Sequence, residues 1–190
     1  EGIKMETLGY NPTLAVMRMK SIGRELAEEL ERLEQWAHGG AAIRADARGS
    51  VRPKANGDAK VRFSLTKHDL HRLRRGVAVY AEILLAAGAE EVSLGPHGWH
   101  HVTSRDEIER FKEEGPVGKT DYEMILSHMF GTCQMGSDPS ANVVDNGFQH
   151  HAVDRLYVAD SSVFPTNTGV NPQIAIMAMA RQCARSIVGE

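Results

Sequence analysis

The chain has 190 residues, 42% of them hydrophobic and 25% charged, enough for one or two packed units and unlike a compositionally disordered polypeptide. A formal charge of −3 and a pI near 6.3 exclude nucleic acid as the main partner, because binding phosphates needs a basic excess on one surface. No run reaches the roughly 18 uninterrupted apolar residues of a membrane-spanning helix, and no charged start with an apolar core reads as a signal peptide, so membrane association is left open.

The opening Glu1-Gly2-Ile3 lacks a Met and so allows a start inside a larger protein. Ser21 to Trp36 carries Ile22, Leu26, Leu30 and Leu33 among Glu25, Glu28, Glu29, Glu31 and Arg32, the spacing of a helix with one buried face. Gly39-Gly40 is its expected stop. Ala41 to Arg52, the turn-forming Asn56-Gly57 and the alternating Val61, Phe63 and Leu65 read as an antiparallel hairpin with one face to a core. Thr66 caps a long helix, with Asp69 as the answering residue, which runs through Leu70, Leu73, Val77, Tyr80 and Leu84 to Gly88. The basic run His71, Arg72, Arg74, Arg75 lies on that helix and reads as a solvated face. Two further starts of the Ser/Thr-x-x-Glu kind follow, Ser104 with Glu107 and Thr120 with Glu123. Gly115-Pro116 breaks the charged helix between them and marks the nearest thing to a boundary.

The last part differs in character. Leu156-Tyr157-Val158-Ala159 is a continuous apolar run, the pattern of a strand buried on both faces, and Asp160 ends it. A loop from Ser161 to Val170 leads to Pro172 at the first position of a helix reaching about Val188, apolar or small on most sides and therefore expected to be buried. Strand, loop and helix in this order close a ligand crevice in open α/β sheets.

Several residues could carry chemistry. Asp160 either accepts hydrogen bonds from sugar-like hydroxyls or caps its own turn. Asn171 sits at the cap of the last helix, whose free N–H groups at Gln173 and Ile174 and whose dipole favour an anion. His128 is either a satisfied core histidine or a working base. His97, His100 and His101 have no carboxylate or cysteine close by in the sequence, so no metal site is expected; His150-His151 reads as surface. Cys133 and Cys183 lie far apart with no Cys-x-x-Cys spacing, which gives neither a zinc site nor a disulfide framework and favours a reducing compartment such as the cytoplasm.

The run from His128 onward resembles the carboxyl-terminal region of glucose-methanol-choline oxidoreductases. The matching blocks are His128-Met129-Phe130-Gly131-Thr132-Cys133-Gln134-Met135-Gly136, Val144-Asp145, Leu156 to Thr166, Asn171-Pro172-Gln173 and Ile176-Met177-Ala178-Met179-Ala180, in the family's order. Arg48-Gly49-Ser50-Val51, the strand through Phe63 and Ala86-Ala87-Gly88-Ala89 resemble its substrate-binding half. The resemblance implies an FAD-dependent alcohol dehydrogenase or oxidase, in which the hydroxyl proton goes to His128 while hydride moves to flavin N5. It implies that Asn171 holds the substrate oxygen beside the base, that Pro172, Gln173 and Ile174 meet the flavin pyrimidine edge, and that Asp160 and Ser161 contact its ribityl and phosphate region. Within the family the chain is most similar to members acting on small-molecule alcohols of bulky apolar kind, such as long-chain alcohols or sterols.

The implied fold is α+β with an α/β part. Residues 1–118 form a substrate-binding antiparallel sheet with helices, and residues 119–190 a catalytic strand-loop-helix that completes an FAD-binding domain. The family's amino-terminal Gly-x-Gly-x-x-Gly is absent from this chain, so the expected partner is an amino-terminal FAD-binding segment or subunit. A non-catalytic module that has kept the fold, and a flavin-containing hydroxynitrile lyase, are the competing expectations.

Overall fold

The computed structural model describes residues 2–189. In chain order the elements are β1 (Ile3–Thr7), α1 (Pro12–Val16), α2 (Arg24–Glu31), β2 (Gly39–Ile43), β3 (Ser50–Pro53), β4 (Ala59–Arg62), α3 (Lys67–Ala86), α4 (Arg105–Glu114) and α5 (Gln173–Val188), with short 3-10 turns at Leu33–Gln35 and Ser161–Val163. This is a mixed α/β chain whose sheets are small and antiparallel. It divides into two compact units: the chain up to Ala47 with Ser64–Met124, and Arg48–Phe63 with the chain from Ile125 on. The sequence boundary at 118/119 thus falls shortly before the division at Met124/Ile125, and the excursion Arg48–Phe63 packs with the second unit.

In the first unit β1 pairs with β2, Ile3 opposite Ile43 and Thr7 opposite Gly39. Gly76 lets α3 come close to this ribbon: a Cβ there would stand 2.8 Å from the Ala41 Cβ and 3.0 Å from Ile3 Cγ2. Gly39 begins β2, where a side chain would collide with the Tyr80 ring. Both expected capping boxes are present. The Asp69 N–H donates to Thr66 Oγ1 at 3.1 Å and the Ser104 hydroxyl accepts from the Glu107 N–H at 3.3 Å, while each N3 carboxylate returns to the cap backbone. Asp69, fully buried, also accepts from the Asp46 N–H at 2.8 Å and the Ala47 N–H at 3.2 Å, tying the loop after β2 to the start of α3. The core joins Leu73, Ala78 and Ala81 of α3 to Val92, Leu94 and Val102, to Ile108 and Phe111 of α4, and to Tyr122. The basic run is largely engaged: Arg72 donates to the Arg44 carbonyl at 2.8 Å, and Arg74 to the Gly115 and Glu113 carbonyls at 2.8 and 3.1 Å at the end of α4.

Two helical expectations need correction here. The helix expected from Ser21 to Trp36 starts at Arg24, because Gly23 has φ +64° and Ser21 is held by Glu29 instead of continuing the helix; it gives way to a 3-10 turn after Glu31. The helix expected at Thr120 does not form. The Glu123 carboxylate is taken by Arg18 and Lys20, each at 3.3 Å, and Asp121 accepts from the Gly118 N–H, so the local side chains serve a turn and not a cap.

Tyr122 donates its hydroxyl to the Pro116 carbonyl at 2.8 Å, and burial pushes its phenol up to about 12, with Arg74 opposing and Asp121 adding to the shift. The folded value lies above the ordinary value near 10, so its contribution is intact below about pH 10 and is lost as pH rises toward 12. We expect alkaline unfolding of the wild type to weaken stability by about 1–3 kcal/mol across that window, and Tyr122→Phe to flatten it in denaturant titrations at pH 9 and 11.5.

In the second unit β3 and β4 form a hairpin, with Ser50 opposite Arg62 and Pro53 opposite Ala59, closed through Gly57 at φ +86°. The Asn56-Gly57 turn was expected, but the strand assignment was too long: Gly39–Ile43 pairs with β1, leaving only Ser50–Pro53 for the hairpin. The expected core-facing side is also absent, since every residue of β3 and β4 is exposed, Val51 and Val61 at 50% and 55%. The core of this unit is Val144, Phe148, Val163 and Cys183, ringed by Met135, Val143, Tyr157, Val158, Phe164 and Met179. Both cysteines are free thiols, and burial pushes that of Cys183 up.

Leu156–Ala159 is not a doubly buried strand in this chain. Tyr157 makes a single antiparallel bridge to Gln149, the Val158 N–H donates to the Phe148 carbonyl at 3.1 Å, and Leu156 is 45% exposed. Burial on both faces needs a layer packed against each face of a sheet, whereas among the described residues this stretch bridges only to the 148–150 stretch. Likewise α5 is not a buried helix here. Cys183 is its one buried residue, while Ile174 and Met177 are 83% and 63% exposed.

Candidate active site

The second unit builds a groove from two stretches of chain zipped together behind it. Gly131 turns at φ +82°, after which the Cys133 N–H donates to the Ser162 carbonyl at 3.0 Å and the Met135 N–H to the Val163 carbonyl at 2.9 Å. The Gln134 amide reaches the Pro165 carbonyl at 3.1 Å, and the rings of Phe130 and Phe164 meet edge to face with centroids 5.6 Å apart. These bonds hold the His128 segment against the Ser161–Val163 turn, whose Val163 is anchored in the core.

The groove, about 250 Å³, is lined by Ser127, His128, Ser161, Pro172, Gln173, Ile176 and Met177. His128 is exposed, and its ring has no hydrogen-bond or ion-pair partner among the described residues, so it is not a satisfied core histidine. Both ring nitrogens are open to a ligand.

The helix end is one residue later than expected: Pro172, not Asn171, is the N-cap, and it offers no capping side chain. The first backbone bond of α5 runs from the Ile176 N–H to the Pro172 carbonyl at 2.8 Å, leaving the N–H groups of Gln173, Ile174 and Ala175 outside the helical ladder. A helix of 16 residues places roughly half a positive charge there, beside a groove with an open imidazole.

Of the residues singled out in the sequence, the groove brings together His128, Ser161, Pro172 and Gln173. Asn171, Ile174 and Asp160 are not among its lining. The Asp160 carboxylate accepts from the Ser162 N–H at 2.8 Å and so caps the 3-10 turn, leaving its second oxygen for another donor. His150 and His151 are half-buried and occupied locally, His150 accepting from the Ala152 N–H at 3.0 Å and His151 meeting the Gly136 carbonyl at 3.0 Å. Sequence reasoning missed Ser127, Ile176 and Met177. The signal for the last two was present: they stand three and four residues after Gln173, on one helix face.

The family model described as GMC oxidoreductase matches residues 45–180. A long-chain-alcohol oxidase of Arabidopsis thaliana is 32% identical over 83% of the chain and 22% of its own length. An uncharacterised GMC-type oxidoreductase of Mycobacterium tuberculosis is 30% identical over 100% of the chain and 30% of its own length. The crystal structure of pyridoxine 4-oxidase from Mesorbium loti superposes with a TM-score of 0.53 at 26% identity, covering 81% of this chain and 30% of that one. The chain therefore spans less than a third of the length of each of these relatives.

Proposed function

As the chain belongs to the glucose-methanol-choline (GMC) oxidoreductase family, we propose that it forms the catalytic edge of an FAD-dependent alcohol dehydrogenase or oxidase with His128 as general base. The observation that carries this reading is the groove in which an imidazole without a partner among the described residues shares one wall with the unladdered N–H end of α5.

The donor set fits a flavin. Three N–H groups at a positive helix end suit negative charge on a pyrimidine edge, Ser161 lines the same groove, and the second Asp160 oxygen suits a ribityl hydroxyl. FAD, when bound, supplies the acceptor for hydride from the alcohol carbon. This chain's residues do the rest: His128 takes the hydroxyl proton, Asn171 steadies the alcohol oxygen, and the N–H groups of Gln173 and Ile174 stabilise the charge that hydride transfer leaves.

Ile176 and Met177 make the groove wall apolar, and relatives named long-chain-alcohol oxidases support a bulky apolar alcohol as substrate. The exposed Ile174 and Met177 of α5 are a surface that calls for cover. We assign that cover, with the missing glycine-rich motif, to an amino-terminal FAD-binding segment or subunit that completes the FAD-binding domain.

The cofactor assignment is tested by purifying the chain together with that partner polypeptide and reading its absorption spectrum. We expect one FAD per site; a colourless, folded complex would support a non-catalytic module instead. Gln173→Glu probes the helix end. A carboxylate in the first turn favours the helix but opposes a second anion there, so we expect unchanged or raised Tm and about tenfold slower flavin reduction.

A further inference from the structure

A second group of chemistry-bearing side chains lies in the first unit, drawn from separated stretches of the chain. Glu25 and Glu29 stand four residues apart on α2 and share one of its faces. His101 comes from the loop closed by the Val92–Val102 bridge, and Glu91 directly precedes that bridge. One donor atom each from Glu25, Glu29 and His101 lie within 4.8 Å of one another. His101 Nε2 is 3.2 Å from Glu25 Oε1, and its Nδ1 is 2.9 Å from Glu91 Oε2.

Glu29 supplies an independent observation. It is 4% exposed, and its Oε1 accepts from the Ser21 hydroxyl at 2.7 Å. Its Oε2 is buried with no hydrogen-bond partner among the described residues. Native interiors rarely leave a buried carboxylate oxygen bare, and a cation is the group that satisfies a desolvated negative charge.

We propose that Glu25, Glu29 and the Nε2 of His101 bind a divalent transition-metal ion of the Zn²⁺ type, with Glu91 orienting the imidazole. One imidazole nitrogen with two carboxylates is an N/O set suited to zinc and its neighbours and not to magnesium or calcium, which take oxygen ligands. The 3.2 Å separation of Nε2 and Glu25 Oε1 is close to the edge of about 3.3 Å in a tetrahedron with metal–ligand bonds of about 2.0–2.1 Å. Donation of Nδ1–H to Glu91 is the carboxylate–histidine–metal arrangement that fixes the ligating tautomer. The other Glu91 oxygen lies 3.9 Å from Arg32 Nη2, which suits Glu91 to the outer role. Water completes the fourth position. The sequence hid this set because His101 and Glu25 are 76 positions apart.

The test uses the protein with its partner polypeptide, stripped by a chelator and titrated with Zn²⁺ against a fluorescent indicator. We expect one equivalent bound more tightly than about 1 µM, at least a hundredfold loss in Glu25→Gln and His101→Ala, and about a 10–100-fold loss in Glu91→Gln. Glu25 is exposed, so its variant keeps the fold, and X-ray absorption of the wild-type zinc complex gives a second readout, one imidazole among oxygen ligands. No binding at 100 µM, wild-type affinity in Glu25→Gln, or a sulfur-containing shell would each overturn the assignment.

Discussion

Replacing His128 with Ala lowers the rate of flavin reduction by alcohol about 10²–10⁴-fold, the usual worth of a positioned general base, while FAD content and Tm stay at wild-type values. The split follows from the geometry. The His128 ring is exposed and makes no hydrogen bond or ion pair among the described residues, so its removal breaks nothing that holds the second unit together, and exposed substitutions of this kind change stability by about 0.5 kcal/mol or less. What it removes is the groove's one imidazole. His128→Gln keeps hydrogen-bonding capacity but takes up no proton, so it falls with the Ala variant in rate and not in substrate binding. Stopped-flow reduction under anaerobic conditions reads the first effect and thermal melting the second. Full turnover in His128→Ala would remove the base assignment.

Asp69→Ala destabilises the first unit by about 3–5 kcal/mol, among the largest losses a single side chain can cause. The fully buried carboxylate accepts from the Thr66 N–H and hydroxyl at 3.0 and 2.8 Å and from the Asp46 and Ala47 N–H groups at 2.8 and 3.2 Å, with Arg72 at 3.9 Å. Alanine removes four hydrogen bonds to a charged acceptor, each worth about 1.5–3 kcal/mol, and water at the half-exposed donors replaces only part of them. Burial pushes the Asp69 carboxyl up, but the hydrogen bonds from Asp46, Thr66 and Ala47 outweigh it and hold it below the usual carboxylate range. With the folded value depressed, the contribution is present above the unfolded value near 4 and is lost as pH falls through the folded value. Urea titrations at pH 7 and pH 3 should therefore show a large gap between wild type and Asp69→Asn at pH 7 and a smaller one at pH 3. An Asp69→Ala loss under about 1 kcal/mol at pH 7 would contradict the role given to this carboxylate.

Local signals in the sequence translated well. Thr66 with Asp69 and Ser104 with Glu107 became capping boxes, Asn56-Gly57 became a hairpin turn, and α5 starts just after Pro172. Each is settled by atoms within four residues. The misreadings involved distant partners. Thr120-x-x-Glu123 has the letters of a helix start, yet Glu123 is taken by Lys20 from 103 positions away, and β2 pairs with β1 instead of joining the hairpin.

A second kind of mismatch concerns burial. The apolar run Leu156–Ala159, the residues Val51 and Val61, and the apolar surface of α5 all report what a segment could bury. Whether the covering surface is in the same chain is a separate matter, and here Leu156, Val51, Val61 and Ile174 stand exposed. At the candidate site His128, Ser161, Pro172 and Gln173 were legible as ordered blocks. Ser127, Ile176 and Met177 enter through the shape of the groove. The glutamates around His101 were not legible, because no spacing rule joins α2 to a loop so far along the chain.

Whether the groove at His128 is the catalytic edge of an alcohol-oxidising flavin site is decided by anaerobic mixing of the FAD-loaded protein with a long-chain primary alcohol, unlabelled and deuterated at the carbinol carbon. We expect bleaching of the oxidised flavin, slowed by deuterium because the carbinol C–H bond breaks as hydride leaves. A flavin that stays oxidised with saturating alcohol, as a hydroxynitrile lyase or a silent module would leave it, would rule out alcohol oxidation at this groove.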